Sequence, residues 1–176
     1  IAHLAARLMA EDGIEDYALA KRKAARQAGV PDSRQLPNND EIDAALRVYR
    51  DLYRREHQMQ LRALRELALS VMTELAQFNP YLTGSVLKGS AGKYATIHFQ
   101  LFIDSLKNVE HYLLNHGIDF RADGTRLYAG GLVLDAPVLI FNREHVDIHL
   151  TLLSPRDLRL PLKASIDGKP IEGLAI

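Results

Sequence analysis

The stretch that decides the fold reads Gly84-Ser85-Val86-Leu87-Lys88-Gly89 and continues, after five residues, with Ala95-Thr96-Ile97-His98-Phe99. Polar and apolar residues alternate over residues 96–103, which is typical of a strand with one buried side. Residues 81–83 predict a short strand that ends at Gly84, and residues 86–94 predict a loop or short helix. We therefore expect a strand, a glycine turn and a second strand, in that order.

The sequence after this stretch predicts one helix and further strands. Asp104 or Ser105 can cap a helix that Gly117 ends. An Asp-Gly pair between short strand-like runs is typical of a hairpin turn. Two strand pairs are therefore expected: residues 118–121 with 126–129 around Ala122-Asp123-Gly124-Thr125, and residues 132–141 with 145–153 around Asn142-Arg143-Glu144.

The first half of the chain has helical periodicity instead. Apolar residues recur at helical spacing over residues 1–11, 14–28 and 40–78, and Asn38 with Glu41 is typical of a helix-capping pair. Residues 31–39 predict a polar linker. The expected fold class is therefore α+β, with a helical N-terminal region, residues 1–78, packed on a small mixed-sheet domain, residues 79–176.

The composition excludes few functions. The 176 residues include 22 Lys and Arg and 22 Asp and Glu, so no net charge attracts the chain to nucleic acid or to an anionic membrane. The absence of cysteine excludes disulfides and thiolate metal sites. Because no apolar run reaches the length of a membrane span and no signal peptide is evident, we expect a cytoplasmic protein without a membrane partner.

The glycine stretch resembles the signature of the nucleotidyltransferases of the DNA polymerase beta superfamily. That signature has Gly-Ser, three residues, Gly, five residues and then Ser-Asp-Ile-Asp-Leu. Gly84-Ser85 and Gly89 match it without a gap, but Thr96 and His98 replace the two metal-binding aspartates. The resemblance also implies a third carboxylate on a neighbouring strand, for which Asp147 is the best match.

The resemblance implies a phosphate site at the glycine turn. Free backbone amides and the Ser85 hydroxyl can bind phosphate oxygens, and glycines let a ligand approach closely. Two lysines near the turn can add positive charge. The expected ligand is a nucleotide or a phosphorylated small molecule, and the candidate ligand-binding residues are Gly84, Ser85, Lys88, Gly89 and Lys93.

The substituted aspartates leave the metal site open to two interpretations. Magnesium prefers oxygen ligands, so Thr96 and His98 should not support two-metal nucleotidyl transfer. If the two strands are neighbours, strand parity places His98, Asp147 and His149 on one face. These three residues would offer a site for zinc or manganese, whereas the other interpretation is a polar sheet face without a metal.

Three functions follow from these observations. The first is a catalytically degenerate nucleotidyltransferase-like protein that binds a nucleotide, a phosphorylated ligand or a protein partner without chemistry. The second is an active enzyme with the unusual His/Asp metal site. The third is a structural or interaction protein with a vestigial cleft, whose N-terminal helices bind a partner or form a homo-oligomer. Nucleic acid is a further open partner, because the second predicted helix carries Lys21, Arg22, Lys23 and Arg26.

The missing aspartate pair predicts that the chain does not catalyse magnesium-dependent nucleotidyl transfer. Incubation with labelled nucleoside triphosphates, magnesium and candidate acceptors should give no labelled product, because Thr96 and His98 are poor magnesium ligands. Robust transfer that is lost in Asp147→Ala would contradict this prediction, since it would show that the aspartate pair is dispensable.

Overall fold

The computed structural model describes residues 1–30 and 36–176, so most of the predicted linker over residues 31–39 lies outside the described residues. The chain divides into two compact units, Ile1–Met59 and Gln60–Ile176. Within the described ranges, no helix has the length and apolar character needed to cross a membrane. The helices and strands are α1 Ala2–Asp12, α2 Tyr17–Gln27, α3 Asn39–Glu74, β1 Pro80–Thr83, α4 Gly84–Lys88, β2 Ile97–Phe102, α5 Leu106–Asn115, β3 Phe120–Ala129, β4 Leu132–Arg143 and β5 Val146–Leu153.

The helices of the N-terminal unit begin and end at capping residues. Gly13 ends α1 with a φ of 67°, a left-handed conformation that glycine adopts without strain. At the start of α2, the Asp16 carboxylate accepts a hydrogen bond of 2.9 Å from the Ala18 amide. The Asn38 side chain likewise accepts one of 2.8 Å from the Glu41 amide, which confirms the predicted capping interaction. Small and aliphatic residues then pack the helices together: Ala5, Ala6, Leu8, Ala20, Ala24, Ile42, Ala45 and Leu46.

The C-terminal unit is built on a five-stranded mixed sheet in the order β1-β2-β5-β4-β3. β2 and β5 pair in parallel, and every other neighbouring pair is antiparallel. The predicted α+β class with a helical N-terminal region is therefore confirmed. The strand pair predicted around residues 142–144 also forms, with its turn at Glu144 and His145, which have φ values of 53° and 66°.

The hairpin predicted at Ala122-Asp123-Gly124-Thr125 is wrong. β3 runs through these residues without a break, and Asp123 and Gly124 pair with Val138 and Pro137 of β4. The reversal of the chain lies instead at Gly130 and Gly131, where Gly130 has a φ of 58°. An Asp-Gly pair favours a turn locally, but ten residues of continuous pairing with β4 determine the conformation here.

One face of the sheet is apolar and covered by helices; we call it the apolar face. Residues on alternating positions of the two central strands form it: Ile97, Phe99, Leu101, Ile148, Leu150 and Leu152. Leu64, Leu67 and Val71 of α3 and Leu75 directly after it pack in the same core, together with Val86 of α4 and Val109 and Leu113 of α5. The second half of α3 therefore belongs to the compact unit that begins at Gln60.

The opposite face of the sheet carries most of its polar side chains; we call it the polar face. At one end of this face, Phe102 and Leu153 join a small apolar cluster with Leu162 from the C-terminal segment. The same segment pairs with the edge of the sheet, since Leu82 and Leu174 exchange backbone hydrogen bonds of 2.8 and 3.0 Å. The polar side chains on the remainder of this face, beginning with His98 and His149, form the candidate site.

The core of the sheet unit predicts a sharp contrast between a leucine near the end of α3 and the leucine that directly follows the helix. Leu75 is 1% exposed and Leu69 is 54% exposed. Leu75→Ala should lower the free energy of unfolding by about 2–5 kcal/mol, because it leaves a cavity in the core. Leu69→Ala, the matched control, should change it by about 0.5 kcal/mol or less. Urea denaturation measures both, and equal losses in the two variants would contradict this packing.

Candidate functional site

Two histidines form the centre of the candidate site. The parallel pairing of β2 with β5 places His98 directly beside His149. Their ring centroids lie 5.0 Å apart, with the ring planes inclined at 66°. Because Ile97, Phe99 and Ile148 point to the apolar face, both imidazoles lie on the polar face. The sequence-based prediction assumed that the two histidine-bearing strands are neighbours. They are, as β2 and β5, and their pairing brings His98 beside His149.

Groups on two neighbouring elements, β1 and α4, hold His98 in place. The Thr83 hydroxyl, only 5% exposed, donates a hydrogen bond of 3.3 Å to the His98 carbonyl oxygen. Gly84 approaches the other side: a Cβ built there would lie 3.3 Å from Cδ2 of His98. Gly84 also has a φ of 79°, which a residue with a side chain rarely adopts. The glycine is thus required both by the turn and by the imidazole beside it.

The electrostatic surroundings favour the neutral form of both imidazoles. Burial lowers the pKa of His98, and the neighbouring His149 lowers it further. Burial also lowers the pKa of His149, while Asp147 raises it, Arg121 lowers it and Asp123 raises it to smaller extents. A neutral imidazole offers one N–H donor and one nitrogen acceptor. The pair can therefore both donate to and accept from a bound ligand near neutral pH.

The glycine turn takes the form of the short helix α4 beside this pair. Its carbonyl end is tied to α3, because the Arg65 guanidinium donates hydrogen bonds to the carbonyl oxygens of Val86 at 3.0 Å and Leu87 at 2.9 Å. Gly89 then ends α4 with a φ of 90°. Ser85 is half-buried in the first turn, and its hydroxyl makes no hydrogen bond within the described residues. That hydroxyl is therefore free to bind a ligand.

The two lysines of the predicted phosphate site lie in more exposed positions. Lys88 is an exposed residue of the last turn of α4. Lys93 is also exposed, and its Nζ lies 5.5 Å from the centroid of the Tyr94 ring, a side chain that is 90% exposed. Of the predicted ligand residues, Gly84 is thus the one whose close approach to His98 is established.

The positions that resemble the catalytic aspartates do not assemble a carboxylate or metal cluster. Thr96 directly precedes β2 and is half-buried. Asp147 is exposed on β5, and its carboxylate accepts a hydrogen bond of 3.2 Å from the Asn142 side chain. Among the described residues, no group of three or more His, Cys, Asp or Glu side chains is arranged to hold a metal ion. His98, Asp147 and His149 therefore do not form the three-ligand zinc or manganese site that strand parity allowed.

Three polar residues near the pair were not singled out by the sequence. The sequence predicted Thr83 only as the last residue of a short strand. Its burial and its hydrogen bond to the His98 carbonyl oxygen show that it helps to hold His98 in place. Arg121 and Asp123 lie on β3, two strands from His149, and both act on its pKa. Their alternation with Ala122 was a signal for a continuous strand, but the Asp-Gly pair directed the prediction to a turn.

Comparison of the chain with known protein families, with curated proteins and with solved structures gives no match. The candidate site is therefore defined by its own residues and their geometry.

The lowered pKa values predict that stability depends on pH. The unfolded chain binds protons at His98 and His149 more readily than the folded chain does, so protonation below pH of about 6.5 favours unfolding. The free energy of unfolding should thus fall as pH is lowered from about 7.5 to about 5.5, and less steeply in His98→Gln. Urea denaturation at stepped pH measures the slope. His111→Gln, which removes an exposed histidine of α5, is the matched control; an unchanged slope in His98→Gln would contradict the assignment.

Proposed function

We propose that this chain is a nucleotidyltransferase-like binding protein that takes a nucleotide or another phosphorylated ligand on the polar face, without magnesium-dependent nucleotidyl transfer. One observation carries the proposal. The residue at the second aspartate position of the resemblance, His98, lies against His149 on one side and against Gly84 of the glycine turn on the other. The glycine turn and the strand position that follows it in the signature are therefore neighbours in space.

The groups around this point suit a phosphoryl group. Ser85 offers a free hydroxyl, and each imidazole offers an N–H donor, so three neutral donors are available from adjoining elements. Gly84 has no side chain to obstruct the approach of the ligand. An anion beside the imidazoles would also favour their protonated forms, which bind phosphate more strongly through charge-assisted hydrogen bonds.

The same groups do not suit two-metal chemistry. Two magnesium ions are held in such reactions mainly by carboxylate oxygens. Thr96 and His98 supply a hydroxyl and an imidazole instead, and Asp147 is the single carboxylate among the three positions of the resemblance. Binding without transfer is therefore the function that this set of side chains supports best.

Assembly through the helices is a second candidate function, favoured by a separate observation. Val48, Leu52 and Met59 of α3 are 49%, 52% and 72% exposed. Their spacing of four and seven residues places them along one side of the helix. An exposed apolar stripe of this kind is a feature of helices that bind a partner. This candidate would take first place if the polar face binds no nucleotide.

Isothermal titration of the chain with ATP, GTP, CTP and UTP, with and without manganese, tests the binding function. At least one nucleotide should bind with a dissociation constant below millimolar. Ser85→Ala should weaken binding about threefold to tenfold, the equivalent of one neutral hydrogen bond. Gly84→Val should weaken it more, because its side chain would meet His98 and would strain the turn.

Ser90→Ala is the matched control, because it removes the hydroxyl of an exposed serine just beyond the turn. Its affinity should equal that of the wild type. If no nucleotide binds below millimolar concentration, the turn is a structural relic, and a concentration-dependent oligomer in analytical ultracentrifugation would then favour assembly through α3.

A further inference from the structure

The N-terminal unit contains a cavity that the glycine turn does not touch. The cavity has a volume of about 660 Å³ and lies between the end of α1 and one side of α3. That volume is within the usual range for pockets that hold small organic ligands. The residues that line it are Met9, Ala10, Glu11, Tyr49, Arg50, Tyr53, Arg54 and His57.

The arginines of this cavity, together with one histidine, come from one face of α3. Arg50 and Arg54 are four residues apart, and His57 follows one turn later, so the three line the same wall. Neither arginine makes an ion pair or hydrogen bond with any residue that the structure describes. Two adjacent guanidinium groups without a carboxylate partner repel each other, and an anion bound between them would relieve that repulsion.

The one acidic residue in the wall does not neutralise these arginines. The Glu11 carboxylate accepts a hydrogen bond of 2.6 Å from the Tyr49 hydroxyl and one of 3.1 Å from Arg7. These bonds lower the pKa of Glu11, with the bond from Tyr49 as the larger cause. The charge of Glu11 is thus balanced by Arg7, which does not line the cavity, and Arg50 and Arg54 remain available.

An exposed aromatic ring stands beside the two arginines. Tyr53 is 64% exposed on the wall of the cavity. Tyr49, by contrast, is half-buried and held by Glu11, and Met9 provides an apolar surface nearby. A flat ring and a thioether favour a planar aromatic group in the ligand. The cavity therefore combines a surface for a ring with two groups for an anion.

We propose that this cavity binds a phosphate monoester that carries an aromatic ring, of the size of a nucleoside monophosphate. Arg50 and Arg54 would hold the phosphate, since the guanidinium fork matches two of its oxygens. Tyr53 and Met9 would hold the ring. The inference is independent of the function proposed for the polar face, because the two sites share no residue.

Isothermal titration of the whole chain at low salt tests this site with three probes: AMP, adenosine and inorganic phosphate. AMP should bind more tightly than either of its parts, because ring and phosphate contribute together. The double variant Arg50→Ala/Arg54→Ala should weaken AMP binding by about tenfold or more, the effect of losing charged hydrogen bonds. Tyr53→Ala should weaken AMP and adenosine binding but leave phosphate binding unchanged.

Arg55→Ala is the matched control, because it removes the same charge from an exposed position of α3 outside the cavity. Its affinity for AMP should equal that of the wild type, and thermal melts should show that all variants fold. Wild-type affinity in the double variant, or no binding of AMP, would overturn the inference. AMP binding that is lost in Gly84→Val but kept in the double variant would also overturn it, while leaving the proposed function of the polar face intact.

Discussion

The parallel pairing of β2 with β5 is the interaction on which the rest of the sheet unit depends. It sets Ile97 beside Ile148, Phe99 beside Leu150 and Leu101 beside Leu152, and all six are 5% exposed or less. A shift of one residue would turn these side chains to the polar face and bring the histidines into the core. The hydrophobic effect on one face thus fixes the register, and that register brings His98 against His149 on the other.

The position of residue 98 does not depend on the chemistry of its side chain. The contacts that position residue 98 come from the strand register, from Thr83 and from the close approach of Gly84, and none requires a carboxylate. An imidazole at that position removes a negative charge and adds a hydrogen-bond donor. Relative to the aspartates of the signature that the sequence resembles, this imidazole would favour an anion over a magnesium ion, in keeping with the proposed function.

The sequence predicted the features that depend on local pattern. Alternation gave β2, helical spacing gave α1 to α3, and the Asn38 cap was recognisable from Glu41. It misplaced the hairpin at Asp123-Gly124, because a local turn preference was weaker than pairing along the whole of β3. The sequence did not predict that Arg65 joins α3 to α4. Its hydrogen bonds reach Val86 and Leu87, which lie 21 and 22 positions further along the chain, and no local pattern indicates contacts at that separation.

The candidate site, like the fold, could be predicted from the sequence only in part. His98 and His149 were placed on a common face by parity, but their distance depended on which strands are neighbours. Alternation along the strand also predicted the face of Asp147, but not the direction of its side chain, which accepts a hydrogen bond from Asn142. His98, Asp147 and His149 therefore do not form the metal site that the sequence allowed. The exposure of Tyr53 could not be predicted from the sequence either, because apolar spacing on a long helix does not show which of its turns pack against other parts of the chain.

The central claim, that the polar face binds a phosphorylated ligand at the junction of the glycine turn and the histidine pair, is tested most directly by nuclear magnetic resonance. The chain is labelled with ¹⁵N and titrated with ATP, and the backbone amides and histidine ring nitrogens are followed. Saturable shifts should appear together at the amides of Gly84 and Ser85 and at the rings of His98 and His149. The absence of any shift at these four residues at millimolar ATP would contradict the account.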